Sequence, residues 1–109
     1  MKKKLNSGRE IAQYIEECSE NVVDFQMIEE YFFNCEAELR EVNIDSLLSD
    51  SDDHNLEDLE KQNKYNKMDI KDAPPIVVEQ GIIKDGHHRV RSAKHQNKQT
   101  IMAYVVMEK

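Results

Sequence analysis

Apolar residues recur at intervals of three and four from Ile11 through Ala12, Tyr14, Ile15 and Cys18, and Ser7 with Glu10 ahead of them has the spacing of a capping box. This predicts a helix from about Gly8 to Ser19. Asn21 or Asp24 can cap a second helix carrying Phe25, Ile28, Tyr31 and Phe32, with Asn34 as its stop, so the first 38 residues read as a helical hairpin. The pattern then changes period. Val42 and Ile44 alternate with polar neighbours over 39–44, as in a short half-exposed strand. Residues 48–55 are polar and acidic without periodicity and read as a loop. Asn55 can cap a short helix through Leu56 and Leu59, and Tyr65, Met68 and Ile70 supply a further apolar anchor before Pro74 and Pro75 force extended backbone.

Beyond the prolines, Ile76-Val77-Val78, Ile82-Ile83 and Ile101 to Met107 are apolar at consecutive positions, the pattern of strands covered on both faces. The turn at Gln80-Gly81 joins the first two into a hairpin. On a helical wheel for residues 88–98, Val90, Ala93 and the stem of Lys94 share one face, His88, Arg91 and His95 another, and Arg89 and Ser92 lie between them, near the loop entrance. The expected fold is α+β: a small mixed sheet from about residues 39–44, 75–79, 82–84 and 100–107, with helices packed on it and a helical hairpin in front. Residues 1–38 would be the hairpin and 39–109 the sheet domain, together one compact unit.

A length of 109 residues fits one domain, and no apolar run approaches a membrane span. The basic start, Met1-Lys2-Lys3-Lys4, is not followed by the apolar core of a signal peptide, so the expected setting is the cytoplasm, with Cys18 and Cys35 as reduced thiols. The net charge of −7 is unevenly spread: residues 1–40 carry five basic and nine acidic side chains, 41–72 four and ten, 73–109 six and three. Only the last third is net positive. A small anion therefore suits it better than duplex DNA, which the remainder would repel.

That last third contains Asp85-Gly86-His87-His88-Arg89, a strand end, a glycine turn and the start of a helix. The N–H groups of a first helical turn point outward with partial positive charge, Gly86 allows close approach to the backbone, and Arg89 offers a fork of donors for two phosphate oxygens. His87 and His88, held neutral by the helix dipole, suit a hydrogen bond to phosphate or a proton relay. The alternative is a solvated helix start in which Arg89 pairs with one of the many acids. Asp85 is either a Mg²⁺ ligand or general base, or a turn aspartate bonded to its own backbone. A zinc site from His87, His88 and His95 has little support, because neighbours on a helix point apart, residues seven apart lie about 10 Å away along it, and no cysteine or glutamate completes a set. Asp50, Asp52 and Asp53 resemble a calcium loop, but the sixth position is not glycine and the twelfth is Lys61.

The string Pro75-Ile76-Val77-Val78, hairpin, Ile82-Ile83-Lys84-Asp85-Gly86-His87-His88-Arg89, a helix with Ala93 and a last strand Ile101 to Val106 resembles the ParB/sulfiredoxin superfamily over residues 39–107. The resemblance implies a nucleotide, ATP or CTP with Mg²⁺, bound through Gly86, His87, His88, Arg89 and Ser92, with Asp85 as metal ligand and Asp85 and His87 as candidate catalytic residues. His87 stands where sulfiredoxins carry their catalytic cysteine, so that reaction is not expected. ParB partition proteins continue into a helix-turn-helix module, whereas this sequence stops at Lys109, so sequence-specific DNA partition is not expected either. Two functions follow: a nucleotide-binding protein, phosphoryl-transferring or NTP-hydrolysing, or an acidic phage- or plasmid-type module without catalysis that occupies a basic protein partner. Glu29, Glu30, Glu36, Glu38, Asp50, Asp52 and Asp53 discriminate them, favouring the first if they line the cleft near Arg89 and the second if they share one face.

Overall fold

The computed structural model describes residues 2–18, 24–49 and 66–109. It is an α+β fold built on one mixed sheet of six strands: β1 (Lys4–Leu5), β2 (Cys35–Asn43), β3 (Leu48–Ser49), β4 (Ile76–Glu79), β5 (Ile82–Asp85) and β6 (Thr100–Glu108), in the spatial order β1-β2-β6-β4-β5-β3. β4 runs parallel to β6 and β3 to β5, and the other neighbours are antiparallel. Helices α1 (Gly8–Cys18) and α2 (Phe25–Tyr31) lie on one face, and α3 (His87–His95) on the other.

Both helices of the hairpin start where the polar signals place them. Ser7 Oγ accepts the Glu10 N–H at 3.2 Å and a Glu10 carboxylate oxygen accepts the Asn6 N–H at 2.7 Å, closing the first turn of α1. Asp24 caps α2 by accepting the Met27 N–H at 3.1 Å, and Asn34, at φ 62°, turns the chain into β2. Gly8 is the contact point between the helices. A Cβ there would lie 2.6 Å from the Phe32 carbonyl oxygen and 2.9 Å from that of Glu29, so only glycine admits this approach.

The consecutive apolar runs split between two cores. Val77, Tyr104 and Val106 pack with Leu5, Ile11, Ile15 and Phe32 beneath α1, while Ile76, Val78, Ile101 and Ala103 pack with Val90 and Ala93 beneath α3. This is the double-sided coverage that their lack of alternation predicts. Gln80 and Gly81, both at positive φ, close the β4–β5 hairpin. In β5 the register shifts at Val77/Val78: Ile83 faces Val78 but Asp85 faces Val77. The extra residue, Lys84, makes a bulge that re-aims the end of the strand.

Three details differ from the sequence reading. β2 starts at Cys35 and not at Leu39, so a boundary between residues 38 and 39 falls inside a strand. Cys35, Ala37 and Leu39 turn to the α1 core while Glu36, Glu38 and Arg40 alternate with them, a period-two pattern that the expected hairpin end obscured. β1 also joins the sheet edge through Lys4↔Glu38 and Leu5↔Ala37, and β3 adds Leu48–Ser49 to the other edge within the expected loop. Strands of two residues are too short for any periodicity. The acidic run from Asp50 and the helix expected after Asn55 lie outside the described residues.

Two outcomes follow. Gly8→Ala places a methyl against two backbone carbonyls that cannot move separately from α2, which outweighs the helix propensity gained; urea unfolding should show a loss on the order of 2 kcal/mol. Glu10 is held below the usual carboxylate range, first by the Asn6 N–H and then by Lys2. A carboxyl lowered by folding adds stability above its ordinary range and loses it as pH falls through the lowered value, so Glu10→Gln should flatten the acid limb of the stability profile.

Candidate functional site

The motif falls at one end of the sheet, where β5 ends, Gly86 turns and α3 begins. Gly86 is the N-cap of α3 at φ 104°, with no side-chain cap bond, and the first helical bond runs from the Val90 N–H to the Gly86 carbonyl at 3.0 Å. The left-handed backbone explains the glycine only in part. A Cβ at Gly86 would meet Ile76 Cγ2 at 2.5 Å, so the open side of this glycine is filled by the strand below it and not by solvent.

Arg89 departs most from expectation. Its side chain is buried at 4% exposure; Nη1 donates to the carbonyls of Pro74 at 2.7 Å and Pro75 at 2.9 Å, and Nη2 pairs with Asp85 Oδ2 at 2.7 Å. The guanidinium fork grips the chain itself. Arg89 pairs with an acid, but inside the fold and not at the solvated helix start of the alternative reading, and its partner is the Asp85 that the metal or general-base role would need. The geometry favours it because Asp85 and Arg89 stand four residues apart across the helix start, and the β5 bulge aims the carboxylate there. Pro75 accepts a second bond, from the Tyr14 hydroxyl of α1. Tyr14 also packs edge-on against Tyr104 at 4.7 Å, and Tyr104 donates to the Lys2 carbonyl at 2.6 Å. One carbonyl thus ties α1 and α3 together around the sheet end.

The remaining predicted residues divide. His87 is half-buried at the loop, and Asp85 and Gly86 are partly exposed beside it. His88 is 8% exposed, and Ser92 is fully buried with its Oγ donating to Asn66 Oδ1 at 2.7 Å, away from the loop entrance. Val90 and Ala93 face the core as the wheel places them, but His88 and Ser92 are buried as well because a second element packs on α3. Gln96 donates to the Met68 carbonyl at 2.7 Å and accepts the Ile70 N–H at 3.2 Å, so α3 is covered by residues 66–70 as well as by the sheet. Arg91 and His95 stay exposed, apart from His88.

Tyr14 and Cys18 complete this corner and were missed as site neighbours. Their spacing of four on the apolar face of α1 was visible, but nothing in the sequence tied that face to residue 85. Burial pushes the Tyr14 hydroxyl well above its ordinary value, with the Cys18 thiol beside it adding to the effect. Burial also raises Cys18, against the smaller opposing influence of Tyr14 and Arg89, which makes it a poor nucleophile at neutral pH. Both cysteines are free thiols. Among the described residues no three His, Cys, Asp or Glu side chains come together to hold a metal ion, and no helix is long and apolar enough to cross a membrane.

No family model and no curated protein matches the sequence. The assignment of chemistry therefore rests on this corner. It contains a partly exposed turn, a buried arginine that braces it from behind, and a histidine at the helix start. Among the described residues, a cleft of about 300 Å³ borders this corner between Tyr14, Tyr104, Glu10 and Glu17, and another of about 200 Å³ lies between Pro74, Ile101 and Met102.

Arg89→Ala should behave as a core mutation. It takes the guanidinium from Asp85 and the Pro74 carbonyl and leaves the Pro75 carbonyl with Tyr14 alone, and a loss of about 3 kcal/mol or more in chemical denaturation is expected, with Arg89→Lys restoring little because an ammonium cannot span three acceptors. Tyr14 supplies a pH counterpart. A group raised by folding contributes stability that is lost as pH climbs past its unfolded value, so alkaline unfolding should shift upward in Tyr14→Phe.

Proposed function

We propose that the turn at residues 85–87 binds the phosphates of a nucleoside triphosphate, ATP or CTP, in the manner implied by the likeness of this sequence to ParB/sulfiredoxin proteins. The observation that carries the reading is the start of α3. A nine-residue helix begins at a left-handed glycine with no side-chain cap, in the one net-positive third of the chain. Such a start favours an anion through the helix dipole and the first-turn N–H groups. His87, half-buried next to the glycine, adds a side-chain donor. Arg89 and Asp85 act as positioning residues that fix the turn, and His88 and Ser92 support the helix from inside.

The proposed activity is binding. Asp85 has Oδ2 committed to Arg89, and no acidic cluster accompanies it among the described residues, so Mg²⁺ enters as the counter-ion of the nucleotide rather than as a resident metal. The cytoplasm, where nucleoside triphosphates and reduced thiols coexist, is the proposed setting.

The second reading, an acidic module that occupies a basic protein partner, is favoured by Arg89 itself, whose fork is engaged inside the fold. Melting curves separate the two. ATP or CTP with Mg²⁺ at about a hundred times its dissociation constant should stabilise the fold by about 2.7 kcal/mol, a rise on the order of 10 °C. His87→Ala should remove most of that rise, measured against the variant's own unliganded melting point. A panel of ATP, CTP, GTP and UTP that leaves the curve unmoved overturns nucleotide binding.

A further inference from the structure

We infer that the outer side of α2 and the turn after it, formed by Met27, Tyr31 and Phe33, is a docking surface for a basic amphipathic helix of a partner protein. The inference rests on the second reading above and gives it a surface. Single exposed apolar side chains are ordinary, but these three lie within seven positions and are 62%, 58% and 81% exposed, on a helix with no fully buried residue. Met27 and Tyr31, four apart, share one stripe of α2, and Phe33 follows at its end.

Tyr31 is already held in place. Its hydroxyl donates to Glu79 at 3.1 Å, its ring meets Phe32 edge-on at 4.8 Å, and Lys84 lies 5.2 Å above the ring centre. A fixed aromatic loses little freedom on binding, which is the character of an interface anchor. Residues 24–34 carry Asp24, Glu29 and Glu30 and no lysine or arginine. Lys84, the nearby cation, faces Glu79 at 4.0 Å.

This charge selects the occupant. A second copy presenting the same face would set acid against acid, and an anionic lipid surface would do likewise. A helix with leucines at intervals of three and four, flanked by lysines, matches both the apolar stripe and its acidic rim.

The test uses the full chain, ¹⁵N-labelled, titrated with a synthetic leucine–lysine amphipathic peptide and with its leucine–glutamate counterpart. The lysine peptide should shift the amides of residues 25–34, bind at least about tenfold more weakly to Tyr31→Ala and to Phe33→Ser, and weaken with added salt. Phe33→Ser, at a position so exposed, keeps the fold intact. Lysine-peptide shifts that map elsewhere overturn the α2 surface and leave the acidic-module reading standing. Binding of neither peptide anywhere overturns both. Equal binding of the glutamate peptide, or concentration-dependent self-association mapped to α2, for instance against the exposed Arg91, Lys94 and Lys98 of another copy, overturns the proposed partner.

Discussion

The buried guanidinium of Arg89 is the constraint on which this end of the molecule depends. Taking a charge out of water costs several kcal/mol, and only a partner charge with well-aimed acceptors offsets that cost. Here the offset comes from Asp85 and from the carbonyls of Pro74 and Pro75. Each acceptor needs its own local cause. The prolines hold their backbone extended, the bulge at Lys84 turns Asp85 toward the helix, and Gly86 takes the left-handed turn that starts α3 within reach. Because Tyr14 donates to the same Pro75 carbonyl, the orientation of α1 over the sheet is tied to the same point.

This arrangement changes what the Asp-Gly-His-His-Arg string means for function. A motif read along the chain suggests a row of ligand-facing groups. In the fold, three of the five members face inward: His88 and Arg89 are buried, Gly86 is packed on Ile76, and His87 remains beside the turn. The string specifies the shape of a turn at least as much as the chemistry at its surface. The proposed phosphate contacts consequently move from the arginine fork to the helix start, and the proposed protein contact lies on the α1 side of the sheet, away from α3.

The elements whose cause is local were legible. Ser7 with Glu10 and Asp24 mark helix starts through bonds within one turn, and the unbroken apolar character of Ile76-Val77-Val78 and Ile101 to Val106 reports a sheet with helices on both faces. What the sequence hid depends on distant partners. Leu5 enters the sheet only because Ala37 lies opposite, and the inward turn of Ser92 and Gln96 depends on Asn66, Met68 and Ile70. Arg89 was misjudged for the same reason. Its acceptors at residues 74 and 75 are far in sequence, and a buried arginine cannot be told from an exposed one by periodicity.

The most direct test of the account is to observe the Arg89 guanidinium itself. In ¹⁵N NMR of the full chain without ligand, its Nη–H signals should be individually resolved and slow to exchange, as buried bonded protons are. They should stay in place when ATP and Mg²⁺ are added while the His87 amide moves. Averaged, rapidly exchanging Nη–H signals, or signals that shift with the nucleotide as Arg89 leaves Asp85 for phosphate, would contradict it.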